Sequence, residues 1–195
     1  MKGTVRDSEF FRNSLKQSAL GFNGSAVKGI TEYEAARVFV HDEQGNGLWC
    51  DVGCSDDPNR VAFRVYDSVV VNNGRAGIRY ENSMSTAWFE GNEVHGNAKI
   101  ERRGGVDIRD SQDATVKSNV FGGATFSFIS SENKAVTVTY PQNGERIGIR
   151  ATDSGRSDRV DLKEVVVRDN LMNNERIITC ADPVTCINNS RVGSR

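Results

Sequence analysis

Four charged residues stand at matching places in two short glycine-led stretches. Arg79 and Glu81 lie in Gly77-Ile78-Arg79-Tyr80-Glu81, and Asp107 and Arg109 lie in Gly105-Val106-Asp107-Ile108-Arg109. Polar and apolar side chains alternate in both, so an extended backbone sends the charges to one face and the apolar residues to the other. The same alternation runs through Gly47-Leu48-Trp49-Cys50-Asp51 and Gly148-Ile149-Arg150-Ala151-Thr152, and Ala26-Val27-Lys28 is a shorter version. Stacked side by side, these stretches form two columns. One holds Lys28, Trp49, Arg79, Asp107 and Arg150, the other Asp51, Glu81, Arg109 and Thr152. Such a patch combines an indole on which a sugar ring can stack, several guanidinium groups and three carboxylates. Two carboxylates suffice for glycoside hydrolysis. Asp51 and Glu81 on adjacent coils come near the roughly 5 Å of a retaining pair, and Asp51 and Asp107, two coils apart, approach the roughly 6.5–9.5 Å of an inverting pair. The competing reading is structural: alternating acids and arginines on a parallel sheet pair with one another and keep an exposed face soluble.

What must position these residues is a repeat. Each glycine-led strand is followed by a second strand that ends in an asparagine turn, as in Trp88-Phe89-Glu90-Gly91-Asn92-Glu93-Val94-His95-Gly96-Asn97. Partial copies occur at Val5 to Asn13, Val38 to Glu43 and Ser68 to Asn73, and later copies at Val116 to Asn119 and Val165 to Asn170. The turn positions Val38, Ser68, Asn92, Asn119 and Asn170 are separated by 30, 24, 27 and 51 residues, the last being one period with a long insertion. Residues 122–147 supply that insertion, in which Phe126-Ser127-Phe128 and Val136-Thr137-Val138-Thr139-Tyr140 read as an excursion hairpin. Segments of three to five residues with a period of two, and no sustained helical spacing, predict short strands stacked coil on coil in parallel. Asparagine suits the turns, since it tolerates left-handed backbone and its amide can bond the same amide one coil away.

Composition bounds the rest. A chain of 195 residues fits one domain, residues 1–195. With 25 basic against 26 acidic residues and a net charge of -1, nothing favours nucleic acid or an anionic membrane as partner. No apolar run approaches the roughly 20 residues of a membrane-spanning helix. The four cysteines form two local pairs, Cys50/Cys54 and Cys180/Cys186, a spacing that suits either short disulfides of a secreted protein or free buried thiols. Neither pair is a zinc knuckle, and the string from Cys54 to Asn59 lacks the glycine and closing glutamate of a calcium loop.

The glycine-led stretches and asparagine turns, over most of residues 5–175, resemble the right-handed parallel β-helix superfamily of pectate lyases, alginate lyases and epimerases, and phage tailspikes. The resemblance implies an all-β solenoid of about six to seven coils, with a hairpin-like insertion near 122–147. It also implies a chemistry for the patch, β-elimination or C5-epimerisation of an acidic polysaccharide. Arg79, Arg109 or Arg150 would clamp the uronate carboxylate, Lys28 or an arginine would take the C5 proton, and Asp51, Glu81 and Asp107 would offer oxygen ligands to calcium. Arg79, Glu81, Asp107 and Arg109 are then the candidate catalytic residues, with Lys28, Trp49, Asp51 and Arg150 as substrate-binding residues. A calcium cluster of the pectate-lyase type has no residue-by-residue match in this chain, and no dedicated metal ligands are assigned. Trp88, on the second strand, reads as structural. His41 and His95 read as surface histidines, with Val71 in the equivalent place between them.

The expected function is therefore a secreted or cell-surface carbohydrate-active β-helix, a lyase or epimerase ahead of a glycoside hydrolase. The alternative is a non-catalytic glycan-binding or structural solenoid. Met1-Lys2-Gly3-Thr4 carries no leader and no terminal cap is legible, so the chain is expected to belong to a longer secreted protein, with further domains or an oligomer covering the solenoid ends.

Overall fold

The computed structural model describes residues 3–13, 24–51, 54, 57–100, 104–122, 125–129, 135–139, 146–155, 160–173, 175–177 and 180–192. Three strands make each coil. The first coil has β1 (Gly3–Arg6), β2 (Glu9–Phe11) and β3 (Ser25–Gly29), and the second β4 (Tyr33–Ala36), β5 (Phe39–His41) and β6 (Asn46–Cys50). The third holds β7 (Val61–Tyr66), β8 (Val69–Val71) and β9 (Ile78–Glu81), and the fourth β10 (Thr86–Glu90), β11 (Glu93–His95) and β12 (Val106–Arg109). The fifth coil runs from β13 (Gln112–Lys117) and β14 (Val120–Phe121) through an excursion, β15 (Thr125–Ile129) and β16 (Ala135–Thr139), to β17 (Arg146–Thr152). β18 (Lys163–Arg168), β19 (Leu171–Asn173) and β20 (Glu175–Ile177) follow, then β21 (Val184–Ile187) and β22 (Ser190–Val192).

Like strands of successive coils pair in parallel. The first sheet is ordered β1-β4-β7-β10-β13-β18-β21, the second β2-β5-β8-β11-β14-β19-β22 and the third β3-β6-β9-β12-β17-β20. This is a right-handed parallel β-helix. The 51-residue period is a single coil, because β13 pairs directly with β18 and β12 with β17. Its insertion contains the antiparallel hairpin β15–β16. Two parts of the chain were not read from the sequence: the first-sheet strands β4 and β7, and the last coil beyond residue 175, where the turn spacing falls to 19 residues from Asn170 to Asn189.

The core is the axis of the cylinder. Leu48, Ile78, Val106 and Ile149 stack from the third sheet, Cys50, Tyr80, Ile108 and Ala151 form the row beside them, and Val40, Val70, Val94, Phe121 and Met172 meet them from the second. From the first sheet Phe63 packs 4.6 Å from Tyr33 and edge-on to Phe89 at 5.2 Å between ring centres. Full burial of such side chains contributes roughly 1.5–3 kcal/mol each. Cys50 and Cys54 form one disulfide, Cys180 and Cys186 the other.

The strands of the third sheet open on glycine because the next coil passes too close for a side chain. A Cβ on Gly77 would lie 2.8 Å from the Gly105 carbonyl oxygen and 2.7 Å from the Asn97 amide. Between the first and second sheets runs an amide ladder. Asn92 Nδ2 donates to Asn119 Oδ1 at 2.9 Å, Asn119 Nδ2 to Asn170 Oδ1 at 3.0 Å, and Asn170 Nδ2 to Asn189 Oδ1 at 2.9 Å. A second ladder links Asn73 Nδ2 to Asn97 Oδ1 at 2.8 Å, with Asn13 Nδ2 donating to Glu43 Oε1 at 2.9 Å in the same column. The ladder asparagines are not the left-handed residues of these turns. That conformation falls one position earlier, at Asp67, Gly91, Ser118, Asp169 and Asn188, which turns the following side chain inward toward the carbonyls of the neighbouring coil.

Candidate functional site

The register of the third sheet assembles the patch. Lys28 pairs with Trp49, Trp49 with Arg79, Arg79 with Asp107 and Asp107 with Arg150, while Glu81, Arg109 and Thr152 align beside them. Apolar neighbours on the same strands point to the axis, so this row lies on the opposite face. One expectation fails here. The row is not a solvent-facing surface: Trp49 is 3% exposed, Arg79 4%, Glu81 9% and Asp107 2%. Lys28, Asp51, Arg109 and Arg150 are half-buried. Much of the loop at 52–60 and of the insertion at 122–147 lies outside the described residues.

Burial of charge demands pairing, and pairing is what the row contains. Arg79 donates to Glu81 through Nε at 2.9 Å and through Nη2 at 2.6 Å, the planar fork that suits a carboxylate. Its Nη1 lies 3.9 Å from Asp107 Oδ2. Lys28 Nζ reaches Asp51 Oδ2 at 2.6 Å, and Arg109 Nε sits 3.4 Å from Asp110 Oδ2. The indole of Trp49 is held between two cations, with Lys28 Nζ 4.0 Å and the Arg79 guanidinium carbon 5.1 Å from the ring centre. A sugar therefore has no free face of Trp49 on which to stack. Trp49 Nε1 is buried and meets no acceptor among the described residues.

Asp107 is the most deeply buried carboxylate of the row. Burial disfavours its charged form and pushes the carboxyl up to about 6, against the pull of Arg79 and Arg150, with Glu81 adding to the rise and Arg109 opposing it. A carboxyl in that range can exchange a proton near neutrality. The carboxylates do not fit calcium, because Asp51 is engaged by Lys28 and Glu81 by Arg79. Among the described residues no three carboxylate, histidine or thiolate groups gather to hold a metal ion. Arg79 touches both Glu81 and Asp107.

The two tryptophans differ in cover: Trp49 is buried, and Trp88, on the outer side of the first sheet, is 44% exposed with the Arg64 guanidinium carbon 4.8 Å from its ring centre. The sequence signal was present, since Trp88 alternates with the buried Ala87 and Phe89, but the opening strands at β4 and β7 were not recognised, so the row containing Arg64 was not assembled. His41 and His95 do align through Val71. His95 is nevertheless buried and not a surface histidine, and burial holds its imidazolium below the usual range. His41 is ringed by Phe11 and Phe39 and meets Asp42 at 2.9 Å and Glu9 at 3.2 Å.

Comparison with protein-family models finds no match, and comparisons with curated proteins and with solved structures find none either. Among the described residues no helix is long and apolar enough to cross a membrane. The two disulfides are consistent with an extracellular protein.

Proposed function

We propose that this chain is a non-catalytic, polysaccharide-binding β-helix module of the pectate-lyase-like type, working outside the cell as part of a larger assembly. One observation carries this reading: the charged residues of the third-sheet row are committed to neighbours, above all Arg79 to Glu81 in a buried pair and Lys28 to Asp51 in a half-buried one. A guanidinium gripped bidentately by a neighbour, and an indole covered by cations on either side, are arranged for holding coils together. The glycan class, an acidic polysaccharide, comes from the resemblance of the repeats. Among the described residues the three sheets end on β1, β2 and β3 at one end of the solenoid and on β20, β21 and β22 at the other, edges that adjoining domains or a partner would cover.

A second reading is supported by Asp107. A carboxyl pushed up to about 6 beside Arg79, Arg109 and Arg150 has the protonation behaviour of a general acid or base in β-elimination or C5-epimerisation. Incubation with a panel of uronate polymers separates the two. The module reading expects retention of polymer without unsaturated ends, inverted sugars or new reducing ends. Turnover that disappears in Asp107→Asn would replace it with the enzyme reading.

A further inference from the structure

The outer face of the first sheet carries a feature that the third sheet lacks, an exposed aromatic ring beside a cation with no carboxylate. Arg64 on β7 pairs in register with Trp88 on β10, and Thr115 on β13 flanks Trp88 from the other side. Several other basic side chains on the surface have acidic partners: Arg37 with Asp7 at 2.7 Å, Arg60 with Glu32 at 3.0 Å, Lys117 with Glu90 at 2.7 Å. Arg64 has no carboxylate at ion-pair distance among the described residues, and its Nε is buried with no acceptor among them. Its register neighbour on β4, Glu34, is taken by Arg6 and by the Tyr66 hydroxyl. Stacking on the indole fixes the guanidinium plane and leaves its N–H edge for a planar oxyanion.

We propose that Trp88 and Arg64 form a binding site for the uronate units of an acidic polysaccharide. The pyranose ring packs on the exposed part of the Trp88 indole, and its carboxylate accepts from Arg64. One unmatched guanidinium beside one indole fits a polymer bearing a carboxylate on each sugar. This assignment rests on the polysaccharide reading above and names the surface that serves it.

Affinity electrophoresis of the full chain through gels containing polygalacturonate, alginate or neutral dextran tests the assignment. Retardation by a polyuronate and not by dextran is expected, with Trp88→Ala and Arg64→Gln each weakening it at least about tenfold. Both side chains lie outside the core, and circular dichroism of each variant verifies folding. If both variants fold and bind polyuronate as tightly as the parent, this surface is not the site, while the polysaccharide reading stands. Equal retention by dextran, indifferent to Arg64→Gln, would overturn the uronate assignment. Absence of binding to every polymer by the parent chain would remove both.

Discussion

Arg79 closes on Glu81, two residues along the same strand, with its Nε 2.9 Å from one carboxylate oxygen and its Nη2 2.6 Å from the other. Both groups project from the outer side of the third sheet, where period-two alternation places residues i and i+2. The pair is buried, so its hydrogen bonds replace those that water would otherwise make. Trp49 on one side and Asp107 on the other then pack against the same guanidinium.

Removing one partner of that pair should be costly. Arg79→Met strands the Glu81 carboxylate and removes a neighbouring cation from Asp107, and a loss of about 3–5 kcal/mol is expected. Arg79→Met combined with Glu81→Leu should recover much of it, since neither buried charge of the pair remains. Urea denaturation of the parent, the single variants and the double variant measures the coupling; additive losses would mean the pair does not act as a unit.

Asp107 gives a signed pH dependence. Its carboxyl is raised from 3.8 to about 6 in the folded chain, so the folded state holds this proton more tightly than the unfolded state does. Its contribution therefore favours folding below about pH 4 and is lost as pH rises through about 6, an effect of order 3 kcal/mol. Other carboxylates titrate in the same window, so the useful quantity is the difference between the parent and Asp107→Asn. Relative to the parent, Asp107→Asn should gain stability as pH rises from 4 to 7. A difference that stays flat over that range contradicts the raised carboxyl.

The amide ladder should be weakest to attack at its middle. Asn119 donates to Asn170 and to the Phe89 carbonyl, and accepts from both the backbone and the side chain of Asn92. Asn119→Ala leaves several of these buried groups without partners, at a cost of roughly 1–3 kcal/mol for each. Asn189→Ala, in the last coil, removes fewer neighbours and should cost less. Thermal unfolding of the two variants ranks them directly.

The two tryptophans should separate by solvent access. Acrylamide quenches an exposed indole, so the accessible part of the fluorescence belongs to Trp88, and Trp88→Phe should leave the well-shielded emission of Trp49. The reverse pattern, with Trp49→Phe removing the accessible part, would invert their placement.

Alternation of polar and apolar residues and the recurrence of glycine and asparagine were enough to determine the coil, its approximate period and the two columns on the third sheet. These are local properties: strand parity decides which side chains share a face, and Gly77 or Asn119 recurs because each coil repeats the same close approach. The hairpin in the long insertion was legible for the same reason, in the alternation of its two strands. The strands at β4 and β7 and the last coil carried too little local signal. Whether Arg79, Glu81 and Asp107 face solvent, and which tryptophan is open, depended on what else the chain lays over each sheet. Parity names a face but not what covers it, so only the tertiary structure put Trp49 and its cations under cover and left Trp88 beside an unmatched Arg64.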